Sequence, residues 1–165
     1  MKQLTIALVS MLFLTATTGC TPQTQQSAAT PASSARAAVD AVYAGFAAGD
    51  IPMAISTMAP DIEWSEAQGN PYADKNPYIG PDAIVSGLFA RLGGEWADFA
   101  ATPEEFISEG NRVVVFGRYS GVYLASGKTL DAPFVHSWTV NDGKIAKFQQ
   151  YTDTAGQAAV MTTDE

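Results

Sequence analysis

The chain has 165 residues, with nine basic and 17 acidic side chains and a formal net charge of −8 at pH 7. This length suits one domain behind a short leader, and the acidic balance argues against nucleic acid or anionic lipid as the main partner, because both require basic patches. A single cysteine, Cys20, excludes a disulfide framework and a thiolate metal site.

The first predicted element is a secretory leader over residues 1–19. It has one basic residue near its start, an apolar middle and a small-residue end, which is the pattern of a signal peptide. The ending Thr18-Gly19-Cys20 resembles the bacterial lipobox, although Thr17 stands where that motif usually has leucine. The resemblance implies a lipidated Cys20 that anchors the protein in a bacterial cell envelope, facing the periplasm or the exterior. The alternative is a secreted soluble protein with a free thiol.

The next segment, residues 20–35, is rich in Gln, Ser, Thr, Ala and Pro and has no bulky apolar side chain. Such a composition predicts a flexible tether. We expect the folded domain over residues 36–155 and a C-terminal tail over 156–165.

Three helices are predicted in the first half of the domain. The helix over 36–49 carries an apolar stripe with helical spacing that includes Val42 and Tyr43, and Gly49 ends it. Asp50 is a good N-cap for a short second helix that must end by residue 60. A third helix follows Pro81 and ends near residue 94.

The remaining segments predict strands. A short strand over 61–66 precedes a proline-rich loop over 69–81, whose length is typical of functional lids. Segments 96–109, 112–125, 129–140 and 144–152 alternate or run apolar between short turns. The element order indicates an α+β domain in which three N-terminal helices pack on one face of a curved antiparallel sheet.

Four stretches resemble the SnoaL-like, ketosteroid-isomerase-related branch of the NTF2-like superfamily. They are "YAGFAAGDIPMAISTMAPDIEWSEA", "NPYIGPDAIVSGLF", "VVVFGRYSGVY" and "HSWTVNDGKIAKFQQYTD". The resemblance implies an NTF2-like cone, in which the sheet curls around a helix and encloses an apolar pocket, and in which the outer sheet face commonly makes a homodimer. It does not imply one reaction, because the fold serves many activities.

The resemblance, with the alternation of side chains along strands, implies a set of pocket residues. The expected substrate-binding residues are Trp64, Tyr72, Tyr78, Phe89, Phe116, Arg118, Phe134, Trp138, Phe148 and Gln150. For Trp64, Tyr72, Tyr78 and Phe89 a core position is the alternative. Arg118 is either a ligand anchor or a partner of Glu66 or Asp131.

The resemblance also implies two catalytic residues. Glu66 matches the carboxylate base of the steroid isomerases, and His136 stands where they keep a polar oxyanion donor. Their helix tyrosine falls on Val42, with Tyr43 one residue on and turned by about 100°, so this role is expected to lack an occupant. The structural alternatives are a solvated strand-end carboxylate for Glu66 and a core position for His136.

Other activities of the family fit less well. The polyketide cyclases need a carboxylate where this chain has Gln150, which cannot act as a base. The epoxide hydrolases need two aspartates, which are Val114 and Gln150 here. With one histidine in the chain, neither a metal site nor a cofactor is expected.

Three classes of function are therefore predicted. The first is a ligand-binding protein with isomerase-like proton transfer on a small apolar carbonyl compound, through Glu66 and His136. The second is a non-catalytic ligand-binding protein. The third is a protein-interaction lipoprotein that uses the outer sheet face. We expect a homodimer through the face that carries Val135, Ser137, Thr139, Gln149 and Tyr151.

Overall fold

The computed structural model describes residues 30–163, so the predicted leader, Cys20 and most of the predicted tether lie outside the described residues. The helices are α1 (Pro31–Ala48), α2 (Ile51–Ile55), α3 (Pro81–Ile84), α4 (Ala90–Glu95) and α5 (Thr154–Met161), with a 3-10 helix at Pro71–Lys75 and a π-helical turn at Val85–Phe89 that joins α3 to α4. The strands are β1 (Met58–Ser65), β2 (Tyr78–Ile79), β3 (Trp96–Glu109), β4 (Arg112–Tyr123), β5 (Thr129–Asn141) and β6 (Lys144–Thr152).

The strands form one curved six-stranded sheet in the order β2-β1-β6-β5-β4-β3, and it does not close into a barrel. Strands β3 to β6 form an antiparallel meander, as predicted. The prediction of a wholly antiparallel sheet was wrong at one pair, because β1 runs parallel to β6. The chain between β1 and β6 contains the whole meander, and this long connection allows the parallel pairing.

Local signals explain where the first elements begin and end. Gly49 adopts the left-handed conformation, with φ of 67°, that ends α1, and the side chain of Asp50 caps α2 by accepting from the Met53 amide. Helix α1 begins at Pro31 rather than at residue 36, with Thr30 as its cap, so the end of the predicted tether is helical. Its Ala35 side chain is buried, and this packing extends the helix.

The C-terminal segment also differs from the prediction, because it forms a helix where a tail was expected. The predicted tail contains most of α5, which Asp153 caps by accepting from the Gly156 amide. Small residues dominate α5, so its apolar periodicity is weak and the sequence does not signal it. In the part of the chain that the structure describes, no helix is long and apolar enough to cross a membrane.

The core lies between the inner face of the sheet and the helices α1, α3 and α4. Aromatic rings fill it: Trp64 stacks on Phe148 with centroids 3.8 Å apart, and Phe134 stacks on His136 at 3.9 Å. The sheet curves around these rings and leaves a narrow cavity beside them. The fold therefore places an apolar, aromatic-walled space next to the lone histidine.

Candidate functional site

The cavity lies between α1, the helix that ends in α4, and the inner face of the sheet. With its mouth it encloses about 540 Å³ of space not filled by protein atoms, a volume that includes open solvent. The structure brings seven of the twelve predicted site residues to its wall: Trp64, Glu66, Tyr72, Phe89, His136, Trp138 and Gln150.

Three further predicted residues are buried but do not line the cavity. Phe134 and Phe148 lie behind its wall, where they pack against the ring of His136. Tyr78 donates its hydroxyl hydrogen to the carbonyl of Tyr72 at 2.6 Å, so it holds the loop rather than a ligand. These aromatic residues are core, which is the alternative that the sequence left open for Tyr78.

The prediction that Phe116 and Arg118 bind a ligand was wrong, and Arg118 instead forms the alternative pair with Asp131. Both belong to the outward face of β4: Phe116 is 37% exposed, and Arg118 forms an exposed ion pair with Asp131 at 2.6 Å. The inward face carries Tyr119 and Gly117 instead. A Cβ at Gly117 would collide with the ring of Phe134, so this glycine is what lets the Phe134 ring lie against β4.

Glu66 lies at the end of β1 and is only 4% exposed. Its Oε1 accepts from the indole nitrogen of Trp64 at 2.7 Å, and its Oε2 accepts from the side-chain nitrogen of Asn70 at 3.1 Å. Burial raises the pKa of the Glu66 carboxyl from 4.5 to about 7, and the Trp64 indole and the Gln150 amide offset only part of the rise. Glu66 is therefore a buried carboxyl poised between its two ionisation states near neutral pH.

The predicted lid loop holds Glu66 in place. Asn76 accepts from the Glu66 amide at 2.9 Å and donates to the Glu66 carbonyl at 2.7 Å, as a neighbouring strand would. Asn70 accepts from the Tyr72 amide, which orients its nitrogen toward both Glu66 and Gln150. The loop thus fixes the backbone and the carboxylate of Glu66 together.

His136 is buried on β5, and a tyrosine hydroxyl reaches each of its ring nitrogens. The Tyr43 oxygen lies 2.6 Å from Nδ1 and the Tyr119 oxygen lies 2.5 Å from Nε2. Burial lowers the pKa of His136 from 6.5 to about 3, so the imidazole is neutral at pH 7. The expectation that His136 itself donates to a ligand oxygen was therefore wrong, because both nitrogens already have partners.

One backbone amide orients the Gln150 side chain, and from that orientation we infer the direction of the hydrogen bonds around His136. The Ala67 N–H can only donate, and it points at Oε1 of Gln150 at 3.1 Å, which places Nε2 of Gln150 toward the Tyr119 oxygen at 2.8 Å. With the Tyr119 oxygen accepting from Gln150, we infer that the Tyr119 hydroxyl donates to Nε2 of His136. On this assignment the neutral ring carries its hydrogen on Nδ1 and donates to Tyr43.

This chain of donors leaves the hydroxyl hydrogen of Tyr43 available to the cavity, which Tyr43 lines. Burial raises the pKa of Tyr43 well above its ordinary value, so the phenol keeps its proton at neutral pH. The indole nitrogen of Trp138 is near enough to offset a little of this rise, but it does not reach hydrogen-bonding geometry with any described residue. Tyr43 is thus the neutral donor of the site.

The expectation that Tyr43 is turned away from the pocket was also wrong. Val42 and Tyr43 both line the cavity, because the buried stripe of a core helix is at least 100° wide and includes adjacent positions. The ring of Tyr43 lies parallel to that of His136, with centroids 6.0 Å apart. The helical spacing had already placed Tyr43 on the buried face, and that signal was sufficient to find it.

Sequence reasoning missed three other polar residues: Asn70, Tyr119 and Gln157. Alternation along β4 could have indicated Tyr119, since it shares a face with the apolar Val113 and Val115. No sequence pattern marks Asn70 or Gln157, which lie in a loop and in α5. Among residues 30–163, no group of three His, Cys, Asp or Glu side chains is arranged to hold a metal ion.

The chain matches the family model described as a SnoaL-like domain over residues 39–148. It is similar to the crystal structure of an NTF2-like protein from Burkholderia thailandensis, with 36% identity and a TM-score of 0.75 over 82% of this chain and 99% of that one. No curated protein sequence matches the chain significantly.

Two other solved structures are similar to this chain. TerC, co-crystallised with polyporic acid, is 34% identical, with a TM-score of 0.70 over 78% of this chain and 98% of that one. A Catenulispora acidiphila protein with a ketosteroid isomerase-like fold, in complex with trimethylamine, is 17% identical, with a TM-score of 0.65 over 77% of this chain and 93% of that one. The latter likeness is one of fold alone.

Proposed function

The chain belongs to the SnoaL-like domain family, and from that premise we propose that it binds a small apolar carbonyl compound and transfers a proton on it, with Glu66 as the base. One observation carries this proposal: Glu66 and the donor hydroxyl of Tyr43 line the same buried, aromatic-walled cavity. A carboxyl with a pKa raised to about 7 is suited to exchange protons at neutral pH.

The proposed reaction is enolisation. The Glu66 carboxylate removes a proton from the carbon next to the carbonyl and becomes a carboxylic acid. The electron pair of the C–H bond moves to the carbonyl oxygen, which Tyr43 stabilises by donating its hydroxyl hydrogen. Glu66 then returns the proton to the same carbon or to a conjugated one.

His136, Tyr119 and Gln150 are positioning residues in this proposal. They touch no reacting atom, but they determine which way the hydroxyl of Tyr43 points. A neutral imidazole that donates to the Tyr43 oxygen leaves the phenol hydrogen for the substrate. His136 thus keeps a role in the oxyanion site, although it acts through Tyr43.

The test is hydrogen exchange on a simple enolisable ketone. 1-Tetralone is incubated with the protein in D₂O at pH 7, and loss of the proton signal at its C2 position is followed by NMR. We expect exchange well above the protein-free rate, and loss of that acceleration in Glu66→Gln. Binding of the ketone without any acceleration of exchange would reject proton transfer.

A non-catalytic binding protein is the alternative, and a specific observation favours it. Both carboxylate oxygens of Glu66 already accept hydrogen bonds, from Trp64 and from Asn70. These bonds stabilise the ionised form and reduce its strength as a base. TerC was co-crystallised with polyporic acid, so that compound is a second probe of binding to this chain.

The cellular setting belongs to the same proposal. The leader pattern and the Thr18-Gly19-Cys20 ending support a lipid-anchored protein of the cell envelope. The outer sheet face supports a homodimer, because Phe116, Val135 and Tyr151 form one cross-strand row there. Tyr151 is 59% exposed and Phe116 37% exposed, so the row is an apolar surface available to a second copy. Use of this face for another protein is the remaining alternative.

A further inference from the structure

One buried side chain of the cavity wall takes no part in the proposed proton transfer. Gln157 is 3% exposed, lines the cavity, and is the buried residue of α5. Its Oε1 has no hydrogen-bond partner among residues 30–163. An unpaired buried polar atom destabilises a fold, so a native structure that retains one requires an explanation.

A structural role does not explain Gln157. The other α5 residues that pack on the core, Val160 and Met161, are apolar, and an apolar residue would fill the position of Gln157 without leaving a polar atom unpaired. The helix itself is held by other groups: Asp153 caps its start, and Ser126 donates to the carbonyl of Val160 at 2.6 Å. The amide is therefore not needed to attach α5 to the domain.

The cavity wall has a second unpaired polar atom, which is a hydrogen-bond donor rather than an acceptor. The indole N–H of Trp138 is buried in the cavity wall without a hydrogen-bond acceptor among the described residues. It lies beside Tyr43, the ring centroids being 6.0 Å apart. Two donors, Tyr43 and Trp138, thus meet at one region of the cavity.

Gln157 reaches the same cavity from α5. Strand β6 ends at Thr152, opposite Phe134, and α5 begins two residues later, so Gln157 belongs to a different element from the two donors. The wall of one cavity therefore carries two donors, Tyr43 and Trp138, and an acceptor, Gln157, with aromatic rings among them.

We propose that Gln157 is a specificity-determining residue, and that the ligand is a ring compound with a carbonyl oxygen for Tyr43 and a separate hydroxyl group that donates to Gln157. This deepens the proposed function and rests on it, since it concerns the same cavity. The chemical class is a hydroxylated cyclic or aromatic ketone. A site built to pair with a hydroxyl group discriminates strongly against the analogue that lacks it, because the buried amide then stays unpaired.

Matched ligands provide the test. Affinities of 1-tetralone, its 5-, 6- and 7-hydroxy derivatives and their methyl ethers are measured by titration calorimetry with the whole protein. The three positions cover different separations of carbonyl and hydroxyl. We expect one hydroxy isomer to bind about tenfold more tightly than 1-tetralone and than its own methyl ether.

The variant Gln157→Leu removes the acceptor and keeps the volume. We expect the preference for the hydroxy isomer to fall to less than about twofold, with 1-tetralone binding retained. Without ligand, its melting temperature should rise by about 3 °C, because the buried polar atom without a partner has been removed. Loss of a glutamine with a structural role would lower the melting temperature instead. Gln68→Leu, the same change at an exposed position, is the control and should alter neither property. Gln157→Met serves if the leucine variant does not fold.

The outcomes separate the inference from the proposed function. If the ketones bind but no hydroxy isomer is preferred, or if the preference survives in Gln157→Leu, the inference is rejected and proton transfer by Glu66 stands. A loss of melting temperature in Gln157→Leu also rejects it, by showing a structural amide. If no ketone binds the wild-type protein, both proposals are rejected.

Discussion

The hydroxyl oxygen of Tyr43 lies 2.6 Å from Nδ1 of His136, although 93 positions separate the two residues in the chain. The first comes from the first helix and the second from the fifth strand. This bond joins the helix layer to the sheet at the centre of the cavity. It also determines which polar hydrogen faces a ligand. When Nδ1 of His136 donates to the Tyr43 oxygen, the hydroxyl hydrogen of Tyr43 is available to a ligand.

Replacing Tyr43 with phenylalanine tests the donor. Tyr43→Phe should reduce the rate of ketone exchange by about 100-fold, the usual effect of removing one oxyanion donor. Affinity for the ground-state ketone should change much less, because the donor acts mainly on the developing enolate. The exposed Tyr151→Phe is the matched control and should leave both unchanged. An equal loss of rate in the two variants would contradict the assignment.

The tautomer of His136 gives a second prediction. The bond from Ala67 to Gln150 orients the relay, so the ring hydrogen should reside on Nδ1 rather than on Nε2. Nitrogen-detected NMR of the imidazole should show this tautomer unchanged from pH 8 to pH 5, because burial lowers the pKa of His136 to about 3.

A variant separates orientation from burial at His136. Gln150→Leu removes the donor to the Tyr119 oxygen and with it the bond that favours Tyr119 as a donor to Nε2, so the second tautomer should appear. Gln149→Leu, on the adjacent residue of the same strand, should keep the original tautomer. A wild-type imidazole that titrates near its ordinary pKa of about 6.5 would show that it faces solvent.

Strand alternation predicted the part of the site that lies on β5 and β6. His136, Trp138 and Gln150 all line the cavity, because the hydrogen-bonded register sets their faces once the pocket side is chosen. The same reasoning failed on β4, where Phe116 and Tyr119 are both aromatic and lie on opposite faces. Alternation groups residues into two faces, but it does not say which face is inward when both carry large rings.

Polar residues outside the strands were harder to predict. Asn70 reaches Glu66 because a loop folds back against β1, and the path of that loop depends on contacts distant in sequence. Gln157 is buried because a helix of small residues packs at the end of the cavity. Neither position has a periodic pattern around it. The fold and the carboxyl of the cavity wall were therefore predictable, whereas the groups that orient the carboxyl were not.

The outer sheet face predicts a homodimer. Phe116, Val135 and Tyr151 lie in one cross-strand row on that face, and burying such a row is favourable. The protein should sediment as a dimer at micromolar concentration, and Val135→Glu should make it a monomer with its ketone affinity retained. Ala44→Glu, an exposed change on α1, is the control. A monomeric wild type would exclude this interface.

Cys20 carries the prediction about the cell envelope. If its thiol is lipidated, the protein should partition with membranes, and Cys20→Ser should move it to the soluble fraction, because the acyl chains supply the anchor. Mass spectrometry of the wild-type N-terminus should find the lipid on Cys20. Thr21→Ser, a change beside it, should leave the protein on the membrane. A wild type that is already soluble would support secretion instead.

Glu66 predicts opposite pH dependences for rate and stability. Its pKa is about 7 in the folded protein and about 4.5 when unfolded, so the folded state holds the proton more tightly. This contribution to the free energy of unfolding is complete below pH 4.5 and is lost as the pH rises to 7, by at most about 3 kcal/mol. Ketone exchange should rise over the upper part of the same range, because the base is the ionised form.

The variant Glu66→Gln should abolish the pH dependence of the rate and remove the Glu66 contribution to the pH dependence of stability. Denaturant unfolding at pH 5 and at pH 8 should show stability rising with pH in Glu66→Gln, where only the His136 contribution remains, and a much smaller change in the wild type, where the two contributions oppose each other. Glu63→Gln, which removes an exposed carboxylate of the same strand and its ion pair with Lys147, should keep the wild-type slope. His136 acts in the opposite sense: its pKa is about 6.5 when unfolded and about 3 when folded, so its contribution to stability is lost as the pH falls below 6.5, by about 2 kcal/mol at pH 5. If Glu66→Gln kept the wild-type slope, the carboxyl would already be ionised at pH 5, and the raised pKa on which proton transfer depends would be wrong.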